Sequence, residues 1–139
     1  MGTVRQRNTA PKSSALMPQY QRYIGHLYEH YAALYLQMHG LRLQRRRFHC
    51  RFGEIDLIMR DKQSYVFVEV RFRQNWHYGC GLESINAAKR RRIIKTAAWF
   101  MQQQTGNQDC RFDVVSISRP RLWPCITWIQ NAFNTDDRY

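Results

Sequence analysis

The sequence predicts an α/β fold in which one mixed β-sheet of four to five strands is flanked by helices. Two long segments show apolar residues at the three- and four-residue spacing of a helix. Between and after them lie short segments rich in apolar and β-branched residues, separated by polar turn residues, and these predict strands. The predicted order is α-β-β-β-α-β-β. A length of 139 residues suits one domain with one hydrophobic core.

The two helices are predicted at residues 19–39 and residues 84–104. In the first segment, the helical spacing connects Tyr20, Ile24, Leu27, Tyr31, Leu34 and Met38. Gly40 follows as a natural stop signal. In the second segment, the spacing connects Ile85, Ile93, Thr96 and Phe100. The residues before the second helix predict a flexible loop that contains Gly79, Cys80 and Gly81.

Strands are predicted at residues 41–48, 53–60 and 65–72, as a meander of three consecutive strands. After the second helix, residues 111–118 predict a fourth strand and residues 126–129 leave room for a fifth. Residues 65–70 are apolar on both faces, which is typical of a buried central strand. A carboxylate in such a strand, here Glu69, is unusual.

The chain has a strong excess of positive charge, with 22 Lys and Arg against 10 Asp and Glu and a formal net charge of +12. This charge is typical of proteins that bind polyanions, so nucleic acid, and DNA first, is the expected partner. Residues 1–18 carry Pro, Ser, Thr and Lys without periodicity, and we expect them to form a disordered basic arm that contacts phosphates. Residues 19–139 are expected to form the single domain.

The expected location is the cytoplasm. No apolar run approaches the roughly 18 residues that a membrane-spanning helix needs, so no membrane role is expected. The N-terminal residues lack the apolar central region of a secretory signal. The cysteines form no Cys-x-x-Cys pair, which fits free thiols better than disulfides or a zinc site: Cys50, Cys80, Cys110 and Cys125.

The segment GEIDLIMRDKQSYVFVEVR, residues 53–71, carries two acidic residues that point to a chemical site. If the turn lies at residues 61–64 and Arg60 pairs with Tyr65, counting back through an antiparallel ladder places three further pairs opposite each other on one face: Ile58 and Phe67, Asp56 and Glu69, and Glu54 and Arg71. Like charges across a ladder are destabilising, so Asp56 and Glu69 need a compensating cation. Clustered oxygen ligands favour Mg²⁺ or Mn²⁺ as that cation.

Other interpretations of these acids stay open. The face could be exposed to solvent, which would make Asp56 and Glu69 ordinary surface residues. Glu54 and Arg71 could form a cross-strand salt bridge, or either could take part directly in catalysis.

Glu29 on the first helix is a further candidate. Small residues lie one turn away on either side of it: Gly25, Ala32 and Ala33. They would let the helix approach closely and hold Glu29 against the sheet beside Asp56 and Glu69. The alternative is an exposed helical glutamate.

These residues resemble the PD-(D/E)XK nuclease pattern, in which an Asp ends one strand and Glu-x-Lys lies on the next. Within that superfamily the chain resembles the YraN family, small bacterial proteins with a restriction-endonuclease-like fold similar to that of Holliday-junction resolvases. The resemblance spans most of the chain after the basic arm. It is carried by Gly25, Glu29, Ala32, GEIDLI at residues 53–58, VFVEVR at residues 66–71, Lys89, and RFDVV at residues 111–115.

The resemblance implies a metal-dependent deoxyribonuclease that acts on branched or structured DNA as a homodimer. Asp56 and Glu69 would ligate Mg²⁺ or Mn²⁺, with the Val70 carbonyl as a further ligand, and Glu29 would complete the acidic cluster. Asp113 matches a family motif as well. We interpret it first as structural because it lies on a different strand.

One residue departs from the pattern, because Arg71 stands where the family pattern has lysine. A guanidinium stays protonated at ordinary pH, so Arg71 cannot act as a general base. It could still bind a phosphate oxygen or stabilise charge in the transition state. Lys89 could substitute for the missing lysine with its stem buried and its amine reaching outwards. The alternative is a surface lysine in the basic run AKRRR.

The residues expected to contact nucleic acid are basic: Arg45, Arg46, Arg47, Arg51, Lys89, Arg90 and Arg91. Arginines interleaved with Phe48 and Phe52 also suit single strands, including RNA. The sequence therefore predicts a metal-dependent endonuclease that hydrolyses DNA. The alternative is a non-catalytic nucleic-acid-binding module with the nuclease fold, which Arg71 favours and the pair of acids opposes.

Overall fold

A computed structural model describes residues 17–73, 85–118 and 123–136 of the chain. The elements, in chain order, are α1 (Met17–Met38), β1 (Arg42–Cys50), β2 (Gly53–Asp61), β3 (Ser64–Arg73), α2 (Ala87–Gln102), β4 (Cys110–Ser118) and β5 (Cys125–Phe133). The predicted order α-β-β-β-α-β-β is confirmed. The fifth strand is longer than expected, and helix α2 begins three residues later than expected. Most of the predicted basic arm and the glycine-containing loop lie outside the described residues.

The strands form one mixed five-stranded sheet in the order β1-β2-β3-β4-β5. Strands β1, β2 and β3 are antiparallel neighbours, β3 and β4 run parallel, and β5 returns antiparallel to β4. Parallel neighbours cannot be joined by a tight turn, and α2 lies in the crossover between β3 and β4. The predicted mixed sheet is therefore confirmed.

The core has two layers, one on each face of the sheet. Phe67 of β3 packs into the layer that contains α2, whereas Val66 and Val68 pack into the layer that contains α1. All three side chains are almost fully buried. Strand β3 is thus the central buried strand that its apolar sequence predicts.

The β2–β3 pairing confirms half of the expected register. Ile58 pairs with Phe67 and Arg60 pairs with Tyr65, as predicted. The recorded pairing ends at Leu57 and Val68, one residue short of Asp56 and Glu69. The expectation that the ladder continues through Asp56–Glu69 and Glu54–Arg71 is therefore wrong, because the Asp56 side chain accepts the hydrogen bond of the Val70 amide and backbone pairing stops.

Helix α1 ends as predicted, at a glycine with left-handed backbone: Gly40 has φ +92°. The fully buried side chains of α1 that pack on the sheet are Ala32, Ala33 and Leu36, and the half-buried Tyr28 and Tyr35 pack beside them. The larger apolar residues whose spacing predicts the helix are mostly on its exposed side. Within the described residues, neither helix is long and apolar enough to cross a membrane.

Candidate functional site

The candidate site lies where β2 and β3 diverge. The first half of β2 stays paired with β1, as in the pair Glu54–His49. The second half of β3 stays paired with β4 on its other edge, as in the pair Glu69–Val114. The β2–β3 pairing stops after Leu57–Val68, so Asp56 and Glu69 stand on either side of a gap in that pairing.

The Asp56 carboxylate is fixed within this gap by the backbone of β3. Its Oδ2 atom accepts a hydrogen bond of 2.8 Å from the Val70 amide. A backbone donor that a continuous sheet would use for strand pairing is thus satisfied by a side chain. The sequence predicts the acid but does not reveal this hydrogen bond.

The environment of Asp56 favours its neutral form. Burial raises the pKa of Asp56 to about 7, with the negative charge of Glu69 as the next cause. The Val70 hydrogen bond and the positive charge of Lys89 act in the opposite direction, and Glu29 adds a small further increase. The three acids therefore interact electrostatically, and a negative charge on Asp56 beside Glu69 is disfavoured.

Glu69 is almost fully buried and lies between two cations. Its Oε1 atom is in ion-pair contact with the Lys89 ammonium group, and the Nε atom of Arg71 is 3.2 Å from the same oxygen. The interpretation of Lys89 as a mere surface lysine is therefore wrong. Arg71 pairs with Glu69, and Glu54 lies near His49 rather than forming the expected cross-strand salt bridge with Arg71.

Local structure brings Lys89 to this position. Asn86 caps helix α2 by accepting a hydrogen bond of 2.8 Å from the Lys89 amide, which places Lys89 in the first helical turn. Gly53, with φ +149°, has no side chain where α2 approaches, and a Cβ there would lie 3.3 Å from Thr96 Oγ1. A larger residue would crowd the approach of the helix to the start of β2.

Glu29 is held on the other side of the gap by Arg47. The Nε atom of Arg47 donates a hydrogen bond of 2.6 Å to Oε2 of Glu29, whose side chain is 18% exposed. Arg47 has φ +47°, in the left-handed region that costs a non-glycine residue about 1 kcal/mol. Glu29 and Arg47 line an open cleft of about 610 Å³ together with Gly25, Glu54 and Asp56.

Glu54 belongs to the rim of the site. Its side chain is 63% exposed, and its Oε2 atom lies 3.3 Å from Nδ1 of His49. Both residues also line a second open cleft of about 410 Å³, which Lys89 and Arg92 border from α2. Arg92 is a residue that the sequence interpretation missed, although it lies three positions after Lys89 and so on the same helix face.

Asp113 has contacts typical of a structural carboxylate. It has no exposed surface and accepts hydrogen bonds from Arg111 Nε at 3.1 Å, Trp128 Nε1 at 2.9 Å and the Asn131 amide at 3.0 Å. Asn131 is a positive-φ residue in β5, next to an irregularity in the β4–β5 register. Asp113 thus connects β4 to an irregular part of β5.

The other basic residues fall into three groups. Arg45 and Arg91 are exposed, and Arg46 is exposed with Nη1 3.1 Å from His30 Nδ1. Arg90 donates a hydrogen bond of 3.0 Å to the carbonyl of Ile85. Arg51 stacks over aromatic rings, with its guanidinium carbon 4.7 Å from the centre of Phe52 and 5.4 Å from that of Trp99.

A divalent cation would have Asp56 and Glu69 as its carboxylate donors. Among the described residues, no group of three or more His, Cys, Asp or Glu side chains is close enough together to form a complete metal site. A cation at this site would therefore be bound by the carboxylates of the two acids and by backbone carbonyl oxygen. The raised pKa of Asp56 is compatible with such a fit, because burial and the nearby charge of Glu69 disfavour a negative charge that a bound cation would stabilise.

Comparison with known proteins finds one family for most of the chain. Residues 28–117 match the family described as "Uncharacterised protein family UPF0102". A UPF0102 protein of Nitrosococcus oceani is 43% identical over 123 residues, which cover 87% of this chain and 99% of the relative. UPF0102 proteins of Psychromonas ingrahamii and Vibrio parahaemolyticus are 47% and 46% identical, over 78% and 82% of this chain and 88% and 94% of the relatives.

Proposed function

Given that this chain belongs to the uncharacterised protein family UPF0102, the YraN family, we propose that it is a metal-dependent nuclease that hydrolyses phosphodiester bonds in DNA. The observation that carries the proposal is the half-buried Asp56 beside the buried Glu69 in the gap between β2 and β3, with Lys89 in contact with Glu69. An acid with a raised pKa beside a second acid in a cleft marks a candidate functional site.

Asp56 and Glu69 would hold Mg²⁺ or Mn²⁺, and the Val70 carbonyl is a candidate third ligand. When bound, the ion would lower the pKa of a water molecule and neutralise charge on the scissile phosphate. Asp56 must lose its proton to bind the ion, and its raised pKa means that it exchanges this proton near neutral pH. Glu29, held by Arg47, adds negative charge at the edge of the same site.

Lys89 is the residue best placed to assist the chemistry. Its ammonium group contacts Glu69, and its backbone is fixed by the Asn86 cap. When a metal ion shares the charge of Glu69, this ammonium group would bind the attacking water or a phosphate oxygen. Arg71 stays protonated and would provide a second positive charge beside Glu69. A lysine from α2 would thus replace the lysine that the nuclease pattern has on β3.

The DNA backbone would lie along the two open clefts on either side of Glu54. Their rims contain the basic residues Arg22, Arg47, Lys89 and Arg92. The net charge of +12 would attract the phosphates from a distance and strengthen binding at low salt. The resemblance to resolvases makes branched DNA the first substrate to test.

The proposal is tested by cleavage of labelled duplex, single-stranded and four-way DNA with added Mn²⁺ or Mg²⁺. We expect Asp56→Asn and Glu69→Gln to reduce cleavage by about 100-fold or more, because the acids would bind the metal ion. Metal-free DNA binding should change little, because the arginines would bind the phosphates. The matched control is Asp136→Asn, which removes one exposed carboxylate outside the site. Equal cleavage by all four proteins would show that the nuclease assignment is wrong.

A second candidate function is binding of single-stranded nucleic acid without cleavage. The observation in its favour is the cluster of Arg51, Phe52 and Trp99, which borders an open pocket of about 330 Å³ with Lys95 on its rim. Aromatic rings beside cations suit the stacking of unpaired bases. Tight binding of single-stranded RNA or DNA, lost in Trp99→Ala and accompanied by no metal-dependent cleavage, would favour this function over the nuclease.

A further inference from the structure

Helix α1 has two apolar faces, and its own sheet covers only one of them. The inner face carries Ala32, Ala33 and Leu36, which are fully buried against the sheet. A helix that is apolar on opposite sides is usually covered on both. Among the residues that the structure describes, the large side chains of the second face are exposed.

The exposed α1 face consists of six large side chains, with these exposed fractions: Tyr20 63%, Tyr23 68%, Leu27 48%, Tyr31 48%, Leu34 46% and Met38 79%. Five of them, together with the half-buried Ile24, follow the alternating spacing of three and four that defines the a and d positions of a heptad repeat. They extend over about 27 Å of helix at 1.5 Å per residue. This pattern is typical of a helix that packs along a second helix.

The exposed α1 face has about the size of a stable interface. At roughly 200 Å² for each large side chain, the exposed fractions of its six residues correspond to about 700 Å². Each partner contributes roughly 800 Å² to a standard protein–protein interface. Isolated apolar patches on monomers are usually about 300 to 600 Å². Exposure of this apolar face to water is therefore unfavourable.

The charge of the exposed α1 face excludes some partners. Its six residues carry no formal charge, and the only Lys, Arg, Asp or Glu residues in α1 are Arg22 and Glu29. Both of these line the cleft at the candidate active site. The exposed α1 face therefore has no positive charge that would bind phosphates or an acidic peptide. It can approach a second neutral surface without electrostatic repulsion, although the net charge of the chain is +12.

We propose that the exposed α1 face packs against the same face of a second copy of this chain, related by a two-fold axis. A two-fold interface uses one surface twice, and a heptad seam is complementary to another seam of equal length. The inference goes beyond the proposed function and does not depend on nuclease activity. It places Glu29 on the side of α1 that faces away from the seam, so pairing leaves the cleft with Asp56 open in both copies.

The test is the oligomeric state in solution, measured by light scattering after size exclusion. At about 50 µM we expect a mass twice that of the 16.8 kDa chain. Leu27→Glu should weaken the dimer by about 100-fold, because the two-fold axis places two new charges in the same apolar seam. Gln102→Glu changes the charge equally at an exposed position on α2 and should remain dimeric.

Circular dichroism and the milder Leu34→Gln substitution separate dissociation from misfolding. A folded Leu34→Gln protein that is monomeric at the same concentration supports the proposal. A parent protein that is monomeric at about 50 µM would overturn it, as would a Leu27→Glu protein that stays dimeric. A monomeric parent that sediments with lipid vesicles would identify a membrane surface as the occupant of this face and would equally overturn it.

Discussion

The ammonium group of Lys89 on α2 contacts Oε1 of Glu69 on β3, although the two residues are twenty positions apart. This contact brings a lysine to the buried acid from a helix, while Arg71 approaches the same oxygen from the strand. The two cations differ in their chemistry, because a lysine can exchange its proton when its surroundings change and an arginine cannot.

Lys89→Met should therefore reduce metal-dependent cleavage by about 100-fold or more, while affinity for DNA changes only a few-fold. The substitution removes a charge at the reacting phosphate and keeps the side-chain stem. Lys95→Met is the matched control, because it removes the same charge from an exposed position on the same helix. Cleavage rates under single-turnover conditions and binding in EDTA provide the two measurements. Equal cleavage rates for the two variants would remove Lys89 from the mechanism.

The contribution of Asp56 to the stability of the metal-free protein should be lost as pH rises from about 4 to about 7. Asp56 has a pKa of about 7 in the folded protein, against 3.8 for the free group. Between these values the folded protein keeps a proton that the unfolded chain has released, so rising pH favours unfolding. The contribution of Asp56 is fully present below pH 3.8 and is lost above about pH 7. Its size is on the order of a few kcal/mol.

Asp56→Asn should remove this dependence, because asparagine stays neutral and its carbonyl can still accept the Val70 hydrogen bond. The measurement is the free energy of unfolding by urea in EDTA at several pH values. We expect the variant to be the more stable protein at pH 8 and the two to be similar at pH 4. Asp136→Asn should retain the pH dependence of the parent. If the free energy of unfolding changed with pH in the same way for the parent and Asp56→Asn, this result would contradict the raised pKa of Asp56.

Mg²⁺ should stabilise the parent protein and should barely affect Asp56→Asn. An ion at 100 times its dissociation constant adds about 2.7 kcal/mol to a protein that binds it only when folded. For a domain of this size, that corresponds to an increase in melting temperature of very roughly 10 °C. Thermal melts are recorded in EDTA and then in excess Mg²⁺. They show whether the difference in melting temperature between the two proteins narrows or changes sign. An equal response of both proteins would mean that the ion binds somewhere other than Asp56.

Asp113→Ala should destabilise the fold without affecting the chemistry. The substitution removes the acceptor for Arg111, Trp128 and the Asn131 amide in a fully buried position, which should cost about 3 kcal/mol or more. Cleavage per folded molecule should stay at the parent level at low temperature. Urea denaturation measures the loss of stability, and cleavage rates divided by the concentration of folded protein measure the effect on the chemistry. A loss of activity in a fully folded Asp113→Ala protein would instead connect β4 directly to the reaction.

The sequence predicts the β2–β3 hairpin near its turn and fails further along it. Ile58–Phe67 is correct because a short turn determines the register of its neighbours. Asp56 and Glu69 do not continue this ladder, although β1 and β4 stay paired with the outer edges of both strands. Beyond Leu57 and Val68 the Asp56 side chain accepts the hydrogen bond of the Val70 amide, and a count of residues cannot detect that a side chain takes the place of a backbone partner.

Helical periodicity predicts that α1 is a helix, but it does not predict which face of α1 packs on the sheet. The spacing of Leu27, Tyr31 and Leu34 predicts a helix, yet the sheet contacts the small residues Ala32 and Ala33. Small side chains contribute little to an apolar pattern, although they allow the closest approach between elements. For Lys89, two interpretations stayed open because its contact with Glu69 depends on how α2 crosses the sheet.

The hydrogen bond from Val70 to Asp56 also gives the protein an internal spectroscopic probe. The Val70 amide proton points at a carboxylate that should change its ionisation near pH 7, so its nuclear magnetic resonance frequency should follow that ionisation directly. Binding of a cation at Asp56 would withdraw electron density from the same oxygen and shift the same signal. One amide resonance in ¹⁵N-labelled protein would then report protonation and cation binding at this site without any nucleic acid present.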